Sequence, residues 1–190
     1  MPLTQYHLDD NNEAVKKFYG KVPIEYVSAL LYFNKEGMVQ ELIHNLKYKG
    51  QQEIGTLLGS WYVDDLKNLN LETPFDVIIP VPLHKRKLRE RGYNQVSTFG
   101  KALSEGLKIP YEDTVLFRKI YSKTQSKKNL SGRSEIKDMF DVHVSEENHN
   151  KHFVIVDDVL TTGATLEACS RALLKIPGAK ISIVCMAMAH

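Results

Sequence analysis

Asp157 and Asp158 stand side by side, and Thr161, Thr162, Gly163, Ala164 and Thr165 follow closely. Ionised carboxylates only accept hydrogen bonds, which suits ribose hydroxyls or a bound Mg²⁺. The threonine hydroxyls add donors, and a glycine lets the backbone approach a ligand closely. If a helix begins at this point, its first free N–H groups face an anion. An acid pair, a small hydroxyl-rich turn and a helix start together describe a phosphate seat with a sugar grip beside it. A second chemically loaded stretch runs from His84 to Arg91, where six of eight side chains are basic or imidazole. Its plain reading is an exposed turn and helix start; its sharper reading is a loop facing pyrophosphate.

The elements that must position these groups follow from periodicity. Phe153 to Val156 has the length and β-branched content of a buried strand that ends at the acid pair. Leu166 to Leu174 continues as a helix, Pro177-Gly178 turns the chain, and Ile181 to Met186 supplies a last buried strand. Asp76 to Val81 reads as a parallel-type strand closed by Pro80 and Pro82, which cannot donate to a sheet ladder. The basic run thus falls at the carboxyl end of a buried strand, where α/β folds bind ligands. Upstream, Tyr26 to Phe33 is a strand and Met38 to Lys49 an amphipathic helix stopped by Gly50. Lys47 and Lys49 near its end read as solvated, though within reach of a phosphate. Gln52 to Lys67 predicts a helix with Ile54, Leu57, Leu58, Trp61 and Tyr62 on one face. Another helix follows Gly92, with Val96, Phe99 and Leu103 inward, while Met1 to Val22 is polar with few anchors. Thr114 to Ile120 and Met139 to Val144 are strands, and Tyr121 to Arg133 between them is rich in Ser and Lys without an apolar period. A surface loop of that length is suited to act as a lid. His143, His149 and His152 lack metal-ligand spacing and read as surface histidines. Alternating strands and helices argue a mostly parallel α/β sheet.

Composition narrows the class. At 190 residues the chain can bury a substantial core. A net charge of +2 is too small for charge alone to imply nucleic acid. No apolar run reaches the length of a membrane span and no signal-peptide layout opens the chain, so the cytoplasm is the expected compartment. Cys169 and Cys185 form no close-spaced pair and read as small buried hydrophobes. A response-regulator receiver would need a further Asp and Lys well downstream of its acid pair. Only 32 residues (190 − 158) follow Asp158, which argues against it.

The stretch FVIVDDVLTTGAT, Phe153 to Thr165, resembles the phosphoribosyl-pyrophosphate (PRPP) signature of type I phosphoribosyltransferases. DVIIPVPLHKRKLRERGYNQ, the upstream IHNLKYKGQQEIG and the downstream RKIYSKTQSKKNLSGR resemble the ComF family of competence-associated bacterial proteins. The resemblance covers most of the chain from Tyr26 to Met186. It implies a type I phosphoribosyltransferase fold: a central, mostly parallel sheet of about five strands with helices on both faces. Residues 1–72 would form a lead-in segment and small hood, and 73–190 the core. Asp157 and Asp158 would hold the ribose and Mg²⁺-bound PRPP; Thr161, Thr162, Gly163, Ala164 and Thr165 would bind the 5-phosphate. Val81, Pro82, Leu83 and His84 would form a pyrophosphate loop with an unusual peptide geometry. Tyr121 to Arg133 would close over the reaction, with Gln125 and Arg133 its most family-like members, and Arg91, Asn94 and Gln95 would hold pyrophosphate or brace the loop.

By the same resemblance, the expected activity is a Mg²⁺-dependent phosphoribosyltransferase with an unknown acceptor, linked to DNA uptake. The expected partners are a competence helicase and a DNA-processing protein, with weak contact to single-stranded DNA; a homodimer is compatible with all of this. A non-catalytic PRPP or nucleotide sensor and a DNA-binding adaptor remain alternatives. Family members usually begin with a cysteine-rich zinc ribbon, but no cysteine precedes Cys169, and Pro2-Leu3-Thr4 resembles the segment that follows that ribbon. The expectation is a truncated chain or a natural member without the module, with no zinc ligands in either case.

Overall fold

Strand β5 (His152–Leu160) lies between β6 (Lys180–Ala189) and β2 (Val77–Pro80), and β1 (Tyr26–Phe33) flanks β6, giving the order β1-β6-β5-β2. The computed structural model describes residues 1–69, 71, 73–119 and 139–189. All three pairings in this sheet are parallel. Beyond β2 a fifth strand is reduced to a single parallel bridge between Ile78 and Tyr111. The Ile78 N–H donates to the Pro110 carbonyl, and the Glu112 N–H donates to Ile78. About five strands were expected; four pair fully, and proline and the brevity of this segment reduce the fifth to one bridge. The fold is α/β, as the alternation of apolar runs implies.

Each face of the sheet carries its own apolar layer. Helices α2 (Met38–Tyr48), α3 (Glu53–Lys67) and α5 (Ser97–Leu107) cover one, meeting Val154, Val156, Val184 and Met186. The other face packs Phe153, Ile155, Ile183 and Cys185 against α1 (Glu13–Lys16), α6 (Ala164–Leu173) and an antiparallel pair. That pair is β3 (Leu116–Arg118) with β4 (Phe140–Val142). Helices α3 and α5 lie close because Gly55 and Gly59 face α5. A Cβ on Gly59 would come within 2.7 Å of the Phe99 carbonyl oxygen.

Several expectations need correction. Residues 1–22 are well anchored: Tyr6, Ala14, Val15 and Phe18 are buried, and Asn12 caps α1 while its amide reaches the Val27 carbonyl at 2.9 Å. Their apolar side chains are too sparse for a periodic signal but all fall on one surface. On α3, Leu57 is 64% exposed and Trp61 42% exposed, whereas Ile54, Leu58 and Tyr62 are buried. The apolar arc of that helix is wider than the strip its neighbours cover. His152 is buried rather than on the surface; its ring nitrogens lie 3.0 Å from the Thr73 carbonyl and 2.7 Å from Ser182 Oγ. Burial lowers its pKa, which keeps the imidazole neutral. The central sheet also draws β1 from the segment before residue 72, so the two sides of that boundary share one sheet.

Candidate functional site

β5 does not end at the acid pair. It pairs with β6 through Asp157 opposite Cys185 and onward to Leu160 opposite Met188. Because successive strand side chains point to opposite faces, Asp157 and Asp158 diverge. Asp158 faces the α2–α5 layer: Lys47 Nζ lies 2.8 Å from its Oδ1, and Gln95 Nε2 donates to its Oδ2 at 2.6 Å. Asp158 is buried, so this cation and amide offset what its ionised form would lose in leaving water.

Asp157 is half-buried on the opposite face, near Cys169 of α6. Its Oδ1 accepts the Asp158 backbone N–H at 2.8 Å, and among the described residues no cation pairs with it. Burial raises its pKa, and the neighbouring Asp158 charge raises it further. One carboxylate is therefore charge-compensated and the other has its pKa raised, from two residues with identical side chains. Cys169 and Cys185 are both buried free thiols whose pKa burial pushes far up, so they belong to the packing around Asp157.

Beyond β5, Thr161, Thr162 and Thr165 are exposed, Gly163 is buried and Ala164 half-buried. Gly163 caps α6 with φ 80°, a left-handed conformation that disfavours side chains, and a Cβ there would meet the Phe18 ring at 3.2 Å. The first N–H groups of α6 have no carbonyl partner inside the helix. Thr162 Oγ1 lies 3.5 Å from the Ala164 N–H, too long to remove that donor from use. The turn thus offers hydroxyls and backbone donors together at the carboxyl end of β5.

The other predicted residues converge on the same end of the sheet. Val81 is joined to β5 through its N–H and the Val156 carbonyl, 3.0 Å, and its own carbonyl accepts from Asn94 Nδ2 at 3.0 Å. Pro82 and Leu83 lead to His84, whose Nδ1 accepts the Arg86 N–H as α4 (Lys85–Arg91) begins. The unusual peptide geometry expected at Val81–His84 is absent, because no peptide bond among the described residues is cis. The bracing function of Asn94 and the Val81 carbonyl needs only an ordinary trans turn.

Arg91 and Gln95 act as a pair. Arg91 NH1 donates to Gln95 Oε1 at 2.6 Å, NH2 reaches Tyr48 Oη at 3.2 Å, and the guanidinium lies 4.8 Å from the Tyr48 ring centroid. A continuous polar chain therefore runs Tyr48–Arg91–Gln95–Asp158–Lys47. Sequence reasoning read Lys47 as solvated, though within reach of a phosphate, and gave no sign of its pairing with Asp158. That partner lies in a distant strand, and the local signal is limited to the lysine's place four residues after the buried Ile43. A cleft of about 230 Å³ opens beside it, lined by Lys47, Tyr48, Lys87, Glu90, Arg91 and Tyr93. Gln125 and Arg133, with the rest of Tyr121–Arg133, lie outside the described residues.

Among the described residues no three His, Cys, Asp or Glu side chains converge on one point. The acid pair offers two divergent carboxylates, one already engaged, so the described residues form no metal cage of their own there. Mg²⁺ commonly binds through one or two carboxylates plus ligand phosphates, a mode that these residues do fit. No helix among the described residues is long and apolar enough to cross a membrane.

Residues 97–190 match the family described as phosphoribosyl transferase domain. Competence protein F of Haemophilus influenzae is 33% identical over 150 residues, covering 75% of this chain and 64% of that protein. DNA utilization protein YhgH of Escherichia coli O157:H7 is 31% identical over 152 residues, covering 76% and 65%. Competence protein ComFC of Bacillus subtilis is 29% identical over 138 residues, covering 73% and 54%. The chain thus spans less than two thirds of the length of these relatives. Among solved structures, adenine phosphoribosyl transferase from Trypanosoma brucei aligns with a TM-score of 0.46 and 13% identity, over 87% of this chain and 84% of that one.

Proposed function

We propose that this chain, a homologue of competence protein F, ComFC and YhgH with a phosphoribosyl transferase domain, binds Mg²⁺-PRPP and transfers its phosphoribosyl group to an acceptor. The observation that carries the reading is the carboxyl end of β5. There a compensated carboxylate, an uncompensated one and a hydroxyl-rich helix start lie in sequence. The 5-phosphate would sit on the Thr161–Thr165 turn, and Asp157 and Asp158 would accept hydrogen bonds from the ribose hydroxyls. The relatives' names, competence protein and DNA utilization protein, support a link to DNA uptake.

In such a transfer the bond from ribose C1 to pyrophosphate breaks with its electron pair leaving on pyrophosphate, the acceptor's lone pair forms the new bond to C1, and the acceptor's proton passes to solvent. The metal, carried mainly by the pyrophosphate, would supply charge neutralisation of the leaving group. Asp157 and Asp158 orient the ribose and complement positive charge developing on its ring. Asn94 fixes the turn that begins at Val81, and Gln95 fixes the carboxylate plane of Asp158. The described chain thus provides binding, orientation and electrostatics from side chains already locked by their neighbours.

Asp157→Asn combined with Asp158→Asn is expected to abolish PRPP binding with the fold intact, checked by circular dichroism and by titration. Wild-type affinity in the double variant would remove the ribose assignment. A second reading, contact with single-stranded DNA, is favoured by the exposed cations of α4, where among the described residues Arg86 pairs only with the surface Glu90, at 2.8 Å. Its mark would be salt-dependent DNA binding that the double variant leaves unchanged.

A further inference from the structure

Lys47 stands between two environments. Its ammonium is 2.8 Å from Asp158 Oδ1, and the same side chain lines the cleft formed with Lys87 and Arg91. An ammonium has three donors, and Asp158 uses one. Asp158 also retains acceptor capacity, since each of its oxygens has one protein partner besides its remaining lone pair. The ion pair therefore need not break for either group to meet a ligand.

The cleft carries an excess of positive charge. The one acidic side chain among its described lining residues, Glu90, is already paired with Arg86 at 2.8 Å. Among the described residues Lys87 and Arg91 have no carboxylate partner; Arg91 instead meets a neutral amide and a phenol. Arg91 is half-buried, so its guanidinium is partly withdrawn from water without a counter-ion. Such a group is poised for an anion, because part of its desolvation is complete before the ligand arrives. The anion would enter at the end of the site where Asp158 grips the sugar.

We infer that Lys47, with Lys87 and Arg91, holds the pyrophosphate end of PRPP. This rests on the reading of the acid pair as the ribose site. Lys47 would then tie the two ends of one ligand together: it fixes the carboxylate that orients the ribose and donates to the group that leaves C1. A residue from α2, upstream of the matched domain at 97–190, would complete the site.

The test compares two ligands that differ in the pyrophosphate. PRPP with Mg²⁺ and ribose 5-phosphate are titrated into wild type, Lys47→Met, Lys47→Arg and Lys87→Met, with Lys67→Met as an exposed charge control. Lys47→Met and Lys87→Met are expected to weaken PRPP about tenfold or more, the size of a lost charge-assisted hydrogen bond, and to leave ribose 5-phosphate within about twofold. Lys47→Arg should retain the preference for PRPP, and Lys67→Met should match wild type. If both ligands weaken equally in Lys47→Met, that lysine only positions Asp158 and the inference fails. Unchanged PRPP affinity in Lys47→Met and Lys87→Met also overturns it. Should Lys47→Met not fold, the exposed Lys87→Met decides the question by the same comparison. A wild type that binds neither ligand defeats the ribose-site reading itself, a separate outcome.

Discussion

Asp157 and Asp158 have the same side chain and opposite electrostatic situations, and the difference comes from strand alternation alone. Asp158 turns toward Lys47 and Gln95, while Asp157 turns toward buried thiols and, among the described residues, has no cation paired with it. Its pKa is raised, so its protonated form is the one that folding favours. A raised folded value gives stability that is complete below the ordinary carboxylate pKa and is lost as pH rises through the folded value. Asp157→Asn should accordingly be more stable than wild type near neutral pH, by about 1–2 kcal/mol, with the gap closing toward pH 4. Urea unfolding across that range checks it; a difference independent of pH would contradict the burial argument. The acid pair itself was legible in the sequence, because residue type and spacing are local. The Lys47 pairing was not, since nothing in α2 names a partner in β5. His152 was misread for a related reason: its partners Thr73 and Ser182 come from two other segments.

Elements were legible where one period dominates. The strands β1, β2, β5 and β6 and the helices α2, α3, α5 and α6 all lie where apolar spacing put them. The end of β5 was misjudged because two carboxylates suggest a strand terminus, whereas β6 continues to offer hydrogen bonds as far as Met188. The face of α3 was drawn too wide because periodicity cannot say how much of an apolar arc a neighbour covers. What does fix α3 is its approach to α5 at Gly59, where a Cβ would meet the Phe99 carbonyl oxygen at 2.7 Å and Ala102 Cβ at 2.8 Å. Gly59→Val should therefore force the helices apart and cost about 1–3 kcal/mol in thermal or urea unfolding. Retained wild-type stability would mean that this contact is looser than described. A different element is held by charge: Asp141 at β4 meets Lys175 at 2.8 Å and Lys119 at 3.0 Å, and its pKa is lowered to about 2. A lowered value gives stability present above the ordinary carboxylate pKa and lost as pH falls. Asp141→Asn should thus cost up to about 1 kcal/mol at pH 7, reduced by solvent screening, and nothing near pH 2.

At the scale of the whole molecule, the site is a product of both halves of the chain. β5 and the α6 start provide the acid pair and the hydroxyl-rich turn; α2 provides Lys47; the segment from Val81 to Gln95 provides the bracing amides. The sheet reflects the same union, because β1 pairs along β6 from Tyr26 opposite Ser182 to Phe33 opposite Ala189. The α/β class and the site's place at the carboxyl ends of the strands could be read from the order of apolar runs and prolines. The joining of the first 33 residues to the last strand could not, because parallel pairing across the whole chain length leaves no local mark. The central claim is that this assembled end of the sheet is a Mg²⁺-PRPP site. Calorimetric titration of PRPP into the intact chain, with and without Mg²⁺, tests it most directly. Saturable binding that strengthens with Mg²⁺ is the expected result. No binding in either condition, reproduced by a second method, would contradict it.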